Sequence, residues 1–242
     1  VFTVEGVRYY LWLGDENANG RFTDRAKLLD IKTAFTRKRP VSFEGDKAYI
    51  SESDSVSITD GLYLGDLLLM GKTLFEMTID IAQEKIILTE LKTGLHPVKL
   101  PMPFDRLTLY APDGSRGLMA YKPSGDVVML PRGSYRLGFY QVFRGDEQGD
   151  LWRLRAGGTK ESPVITVAPG GAADLTLGEP YETIIDLPPE DYLSAYRNST
   201  INLSFIIGGA GGEIVTELIR IRGNSTKIPL SKTANRSNYP KE

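Results

Sequence analysis

The chain has 242 residues, 41% of them hydrophobic and 25% charged, so it carries enough apolar side chains for a sizeable core and is not disordered by composition. Its 29 basic and 31 acidic residues leave a formal net charge of −2, which argues against nucleic-acid or anionic-membrane partners, because both need a basic surface. It contains no cysteine, which removes disulfides, thiolate catalysis, zinc–cysteine sites and iron–sulfur clusters together.

No run of about 18 apolar residues marks a membrane span. The chain opens on Val1, directly into the alternating stretch Phe2–Val7. That reads as a processed or excised chain whose leader or further domains have been removed, or as an incompletely traced start. Val7–Leu13 is rich in β-branched and aromatic residues and apolar on both faces, the composition of a buried strand. It runs into a loop, Asp15 to Asp24, in which oxygen-bearing side chains alternate. Asp15, Asn17 and Asn19 occupy loop positions one, three and five, and Gly20 supplies a sharp turn. Arg21 then offers its main-chain carbonyl, and Asp24 a closing carboxylate. This spacing wraps a hard cation, and a flexible set of about six to eight oxygens suits Ca2+ better than magnesium. The same side chains also suit an Asx-rich turn that bonds its own backbone.

Residues 24–35 read either as a short helix capped by Thr23 or Asp24 or as a loop followed by a strand. From residue 41 short alternating segments follow, separated by Gly, Asp, Pro and Ser. Val41–Phe43, Ala48–Ile50 and Val56–Ile58 are strand candidates, and Leu62–Met70 reads as a buried strand pair around Gly65 and Asp66. Thr73–Ile81 alternates most clearly and turns through residues 82–85 into Ile86–Leu88, a hairpin. A boundary falls near Thr93–Pro97. Beyond it come Phe104–Tyr110, the turn Pro112-Asp113-Gly114, Gly117–Tyr121, Val127–Leu130, and a long aromatic strand to Phe143. Residues 144–150 close a hairpin into Leu151–Leu154, and Val164–Val167 and Asp174–Leu177 complete the set. Turns about every 8–12 residues are the rhythm of a β-sandwich. The segment Leu187–Asp191 suits a helix start. Ile201–Ile207 and Ile214–Ile221 are strands joined by the glycine-rich turn 208–212, followed by a polar tail.

The run Leu130-Pro131-x-Gly133-x-Tyr135-x-Leu137, preceded by Pro112-Asp113-Gly114, resembles the corresponding strand of carboxypeptidase-regulatory-like (transthyretin-like) β-sandwich modules. Ile165–Gly171 with Leu175-x-Leu177-Gly178 resembles the end of such modules, so the likeness covers roughly residues 96–180. The loop Asp15-x-Asn17-x-Asn19-Gly20-x-Phe22-x-Asp24 is similar to calcium loops of multi-module exported bacterial proteins. It departs from EF-hands, since the twelfth loop position is Ala26 rather than Glu. The resemblance implies non-catalytic spacer, adhesin or assembly modules.

Other chemistry is sparse. His96 is the sole histidine and precedes a proline in an apparent linker, with no nucleophile elbow to serve. Asp146, Glu147 and Asp150 sit at a hairpin tip, Arg144-Gly145-Asp146 is a chance-prone adhesive tripeptide, and the 208–212 turn lacks the Lys-Ser/Thr of a phosphate loop. Tyr9, Tyr10, Trp12, Tyr140 and Trp152 stack on sugars only if exposed. Four Asn-x-Ser/Thr sequons fall at Asn198, Asn202, Asn224 and Asn235.

The expectation is therefore an all-β protein of two to three small antiparallel sandwich modules, with at most one or two short helices. The segments are residues 1–94 with the cation loop, 95–180, and 181–242. It is expected to be a non-enzymatic, exported, structural or adhesive protein of the cell exterior or surface. Its structural Ca2+ would be held by Asp15, Asn17, Asn19, Arg21 and Asp24. Its expected partners are other copies of itself or a cell-surface or matrix protein, with assembly by strand addition through Val1–Val7. The alternative is a carbohydrate-binding module that engages a glycan through exposed aromatics.

Overall fold

A strand with one wet face alternates apolar and polar residues, and a strand covered on both faces does not. Leu67–Met70 is apolar and buried at all four positions. Leu118–Tyr121 is likewise buried throughout, so both segments need cover on two sides. A computed structural model describes residues 1–29, 39–55, 61–114, 116–186, 204–221 and 226–228, and it supplies that cover.

In chain order, β1 (Phe2–Val4) and β2 (Val7–Gly14) form a hairpin turned by Glu5 and Gly6, both at positive φ. This is the twist that two-residue hairpin turns favour. β3 (Lys27–Leu29) pairs with β4 (Ser42–Glu44). β5 (Lys47–Ser51) lies beside β2 and β6 (Leu62–Tyr63) beside β5, giving a four-stranded sheet β1-β2-β5-β6. The chain then leaves that sheet. β7 (Leu67–Met70), β8 (Thr73–Asp80) and β9 (Lys85–Glu90) enter a large one. β10 (Leu95–Lys99) joins a smaller sheet, and β11 (Arg106–Tyr110) and β12 (Gly117–Tyr121) return to the large one. β13 (Val127–Pro131) pairs with β10, while β14 (Gly133–Gly145) and β15 (Leu151–Gly157) form the long aromatic hairpin. β16 (Ile165–Val167) pairs with β14, and β17 (Ala173–Asp174) with β10. β18 (Glu182–Asp186), β19 (Ser204–Gly208), β20 (Ile214–Ile221) and β21 (Thr226–Ile228) complete the chain.

The large sheet runs β18-β19-β20-β15-β14-β11-β12-β7-β8-β9, and the small one β13-β10-β17. Pairing is antiparallel except at β7–β12 and β10–β17. Residues 1–94, 95–180 and 181–242 all contribute strands to the large sheet.

Two cores lie on its opposite faces. Val98, Val128 and Leu130 of the small sheet pack with Leu67, Leu69, Leu107, Leu109 and Tyr140 of the large one. Val4, Ile50 and Leu62 of the four-stranded sheet pack with Leu68, Met70, Met77 and Met119. Odd and even residues of β7 thus serve different cores, which is why that strand is apolar throughout. The class is an all-β, sandwich-like fold, with no helix among the described residues.

Several local readings change. Lys27–Leu29 is a strand, so the loop-and-strand alternative holds there; residues 30–38 lie outside the described ones. Leu62–Met70 supplies two strands, but they belong to different sheets, because the chain crosses between layers at Gly65 and Asp66. A Cβ at residue 65 would stand 2.5 Å from the Gly117 carbonyl oxygen, which explains the glycine at the crossing. His96 and Pro97 lie inside β10 rather than in a linker. β17 pairs only Val98 and Lys99, so Pro97 stands where β10 has a single partner. Val56–Ile58, the helix start at Leu187–Asp191, the four sequons and the polar tail lie outside the described residues. Among the described residues no helix is long and apolar enough to cross a membrane.

Candidate functional site

β2 is half-exposed along its length rather than buried, because only one of its faces is covered. It ends at Gly14, and the loop that leaves it folds on its own side chains. Asp15 accepts the Asn19 and Gly20 amides at 3.2 and 2.7 Å. Asn17 Oδ1 accepts the Asn19 amide at 3.2 Å, and Asn19 Oδ1 accepts the Arg21 amide at 2.8 Å. The Nδ2 groups of Asn17 and Asn19 both donate to Asp24 Oδ2, at 2.7 and 2.6 Å. Asp15, Asn17, Asn19 and Asp24 are therefore brought together, with the Arg21 amide tied into the same knot. Gly20 takes φ +76° and Ala18 φ +53°, the left-handed turn that the loop needs. The Asn17 and Asn19 hydrogen bonds, in that order, hold the Asp24 carboxyl below the usual carboxylate range.

The loop closes on a residue that the spacing of its own oxygens does not reveal. Asp46 is fully buried, and its two oxygens accept the amides of Glu16 at 3.3 Å and Asp24 at 2.9 Å. One carboxylate thus clamps both ends of the loop. Its backbone joins in, since the Asp46 amide donates to the Asp24 carbonyl and the Leu64 amide to the Asp46 carbonyl, each at 2.8 Å. Gly45, at φ +122°, makes this approach available: a Cβ there would lie 2.7 Å from the Arg25 carbonyl oxygen. Arg25 then pins the loop exit to the sheet crossing. It donates to the Gly65 carbonyl and, at 3.0 Å, to the Met77 carbonyl, and its Nε lies 3.2 Å from Asp66. Gly45-Asp46 reads as an ordinary turn in the sequence, and nothing in its spacing ties position 46 to position 15.

Beside the loop, Glu16 accepts the Tyr49 hydroxyl at 2.7 Å and Lys47 Nζ at 2.9 Å. The Tyr49 bond, then Lys47, lowers the Glu16 carboxyl. Burial, then Glu16, pushes Tyr49 up to about 12. The donor set of the loop itself is all oxygen: two carboxylates, two carboxamides and main-chain carbonyls. Each oxygen that accepts one N–H keeps a second lone pair, so the chemistry fits a hard cation such as Ca2+. Among the described residues no three His, Cys, Asp or Glu side chains are grouped as a metal site.

The remaining candidates are occupied by the scaffold. Asp146 accepts the amides of Gln148 and Asp150 at 3.0 and 2.8 Å and Trp152 Nε1 at 2.7 Å, so it closes its own hairpin. Asp150 is buried and ion-paired with Arg220. The 208–212 turn wraps Glu213, whose carboxylate accepts the amides of Gly178 and Gly211 and the Tyr140 hydroxyl. Tyr140 is fully buried and Tyr9 half-buried against Tyr121. Tyr10 and Trp12, half-buried on one side of β2, have ring centroids 5.8 Å apart and planes 17° apart. Compared with known protein families, curated proteins and solved structures, the chain finds no match.

Proposed function

We propose that this chain is a non-catalytic structural or adhesive β-sandwich protein of the cell exterior or surface, with a calcium ion ordering the 15–24 loop. The observation that carries this reading is the convergence of Asp15, Asn17, Asn19 and Asp24 at the end of β2. Asn17 and Asn19 turn Nδ2 toward Asp24, while their Oδ1 atoms accept the Asn19 and Arg21 amides. A divalent ion would have to displace the two Nδ2–Asp24 bonds and take the second lone pairs of those oxygens, together with Asp15, Asp24 and the Arg21 carbonyl. Because both loop ends bond to buried Asp46, ordering the loop would strengthen the junction of β2 and β5. With two carboxylates, the affinity expected is roughly 10⁻⁴–10⁻³ M, the range of extracellular modules, since affinity follows ligand charge. Such a site fills outside cells, which is what favours an exported protein.

The partners we propose are other copies of the chain or a cell-surface or matrix protein, engaged at a sheet edge. β1 is hydrogen-bonded to β2 within its own hairpin, and its turn residue Glu5 accepts the Lys72 amide and the Thr73 hydroxyl at 3.3 Å. Addition would therefore build onto an edge rather than donate β1. Among the described residues β9 ends the large sheet, and an end strand offers unpaired backbone groups to another chain.

Thermal melting with calcium or with chelator tests the cation. At about one hundred times Kd the ion contributes about 2.7 kcal/mol. For a domain of this size that raises Tm by about 5–10 °C, and Asp15→Asn with Asp24→Asn should remove the shift. A calcium-independent Tm in the wild type rejects the site, and sedimentation as monomer at high concentration rejects self-assembly.

The half-exposed pair Tyr10 and Trp12, with the Arg8 guanidinium 5.4 Å from the Tyr10 ring centroid, favours the glycan alternative. Silence on a glycan array would reject it.

A further inference from the structure

One face of the large sheet carries a row of polar residues where a core would ordinarily be apolar. By register, Tyr121 stands opposite Arg106, Arg106 opposite Gln141, Gln141 opposite Arg155, and Arg155 opposite Glu217. The row crosses β12, β11, β14, β15 and β20, one residue per strand. Gln141 is fully buried, and the Arg106 and Arg155 side chains are nearly so. Burying such groups costs free energy unless their hydrogen bonds are made, and here the scaffold makes a defined set. Arg155 Nε donates to Gln141 Oε1 at 2.7 Å, Gln141 Nε2 to Asp105 Oδ2 at 2.8 Å, and Arg106 Nε to the same oxygen at 3.3 Å. Arg106 also packs over Tyr121, 5.6 Å from the ring centroid. Anchoring through Nε leaves the Arg106 Nη1–Nη2 edge, which can meet a carboxylate in two parallel bonds.

Above this row lies a cavity of about 290 Å³. Residues 40–43 form its roof, tied down by the Val41 amide on the Gly158 carbonyl at 2.7 Å. At one end the roof lies close to the sheet because Gly138 and Gly157 lack side chains. A Cβ at 157 would stand 2.7 Å from Pro40 and one at 138 would stand 3.1 Å from the Phe43 ring. At the other end the longer Arg106, Gln141 and Arg155 side chains form the floor. The lining includes three cations, Lys47, Arg106 and Arg155, and no carboxylate; the carboxylates that pair with them, Glu16, Asp105 and Glu217 at 2.9, 3.3 and 3.5 Å, stand outside the lining. Its aromatic walls are Phe43, Tyr63 and Phe139. The volume is near the lower end of small-ligand sites and equals roughly ten water molecules' share of liquid. That is room for one substituted six-membered ring.

We propose that this cavity binds a small carboxylate ligand carried on a six-membered ring, with the carboxylate on Arg106 and the ring between the aromatic walls. A uronic acid and an aromatic acid share that chemistry, and no lining residue belongs to the 15–24 loop, although Lys47 of the lining pairs with Glu16 at 2.9 Å.

Calorimetric titration of the full chain tests it with glucuronate, glucose and benzoate, on the wild type, Arg106→Gln and Thr216→Trp. Thr216 is exposed and lines the cavity, its hydroxyl donating to the Arg155 carbonyl at 3.3 Å, so the tryptophan closes the cavity and replaces none of the side chains of the buried row. Saturable binding of glucuronate alone assigns a sugar acid, of benzoate alone an aromatic acid, and of both the shared carboxylate; each supports the proposal. Glucose should bind at least about tenfold more weakly and Arg106→Gln should weaken the carboxylates by about tenfold or more, the scale of one charge-assisted hydrogen bond. Thr216→Trp should abolish binding. The proposal is overturned if neither carboxylate binds the wild type, if glucose binds equally well, or if binding survives Thr216→Trp. Binding unaffected by Asp15→Asn separates this site from the calcium loop.

Discussion

Glu213 has no access to solvent, and its carboxylate is shared among the amides of Gly178 and Gly211 and the hydroxyl of Tyr140. The turn 208–212 and the strand-to-turn segment at Gly178 meet on this one side chain. Burial drives the Tyr140 hydroxyl far above its ordinary range, with contributions from Tyr181 and Glu213, so it stays a neutral donor. Glu213→Ala would strand the Gly178 and Gly211 amides, while Tyr140 keeps the Tyr181 hydroxyl at 3.1 Å; each stranded donor costs about 1–3 kcal/mol. Denaturant unfolding should therefore show a loss of about 2 kcal/mol or more. Glu16 acts at the surface and by a different sign. Its folded carboxyl is lowered below the ordinary 4.5 by Tyr49 and Lys47, so its contribution is full above that value and fades as pH falls through the lowered one. Glu16→Gln should cost about 0.5–1 kcal/mol at neutral pH, the scale of a partly exposed ion pair. The two proteins should melt together in acid. At the alkaline end Tyr49 is raised to about 12 from 10.0, so the stability it adds is complete below 10 and disappears as pH climbs through about 12. Tyr49→Phe should blunt that alkaline loss in a melting series.

The 15–26 loop and the β14–β15 hairpin show how short elements are held by a single well-placed carboxylate. Asp146 organises the hairpin tip locally, within six residues. Asp46 organises the 15–24 loop from 22 and 30 residues away. The alternation Asp15, Asn17, Asn19 and the closing Asp24 were legible because all four lie in one decapeptide whose spacing sets their geometry. Asp46 was not, since its role exists only once β5 has paired with β2. Gly45 marks the contact most sharply. Gly45→Ala would press a methyl against the Arg25 and Asp24 carbonyls at 2.7 and 2.9 Å and strain a φ of +122°. A loss of about 2–3 kcal/mol is expected in chemical denaturation, and the calcium shift should shrink with it if the clamp orders the loop.

Across the molecule the large sheet is a shared wall between two cores, and β7 shows it most directly. Leu68 faces the core built with the four-stranded sheet and Leu69 the core built with the small sheet, both essentially inaccessible. Leu68→Ala and Leu69→Ala should each cost about 2–5 kcal/mol, whereas a one-sided strand would show the penalty at alternate residues only. A common wall also couples the layers. Trp12 lies in the four-stranded sheet and Trp152 in the hairpin of the large one. Single-tryptophan variants Trp12→Phe and Trp152→Phe should thus report one coincident thermal transition. Two separated transitions would mean that the four-stranded sheet unfolds independently of the large one.

Strand identity along most of the described chain could be read from side chains alone, because alternation and Gly, Pro and Asp turns act over a few residues. Thr73–Ile81, Phe104–Tyr110 and Ile214–Ile221 correspond to β8, β11 and β20 with small shifts at their ends. The partner of each strand is a different matter. That β6 and β7 part at Gly65, that β10 carries His96 inside a sheet, and that Arg106, Gln141 and Arg155 align under one cavity all depend on contacts between distant residues. Local periodicity carries no information about such contacts, and only closing the chain into layers decides them.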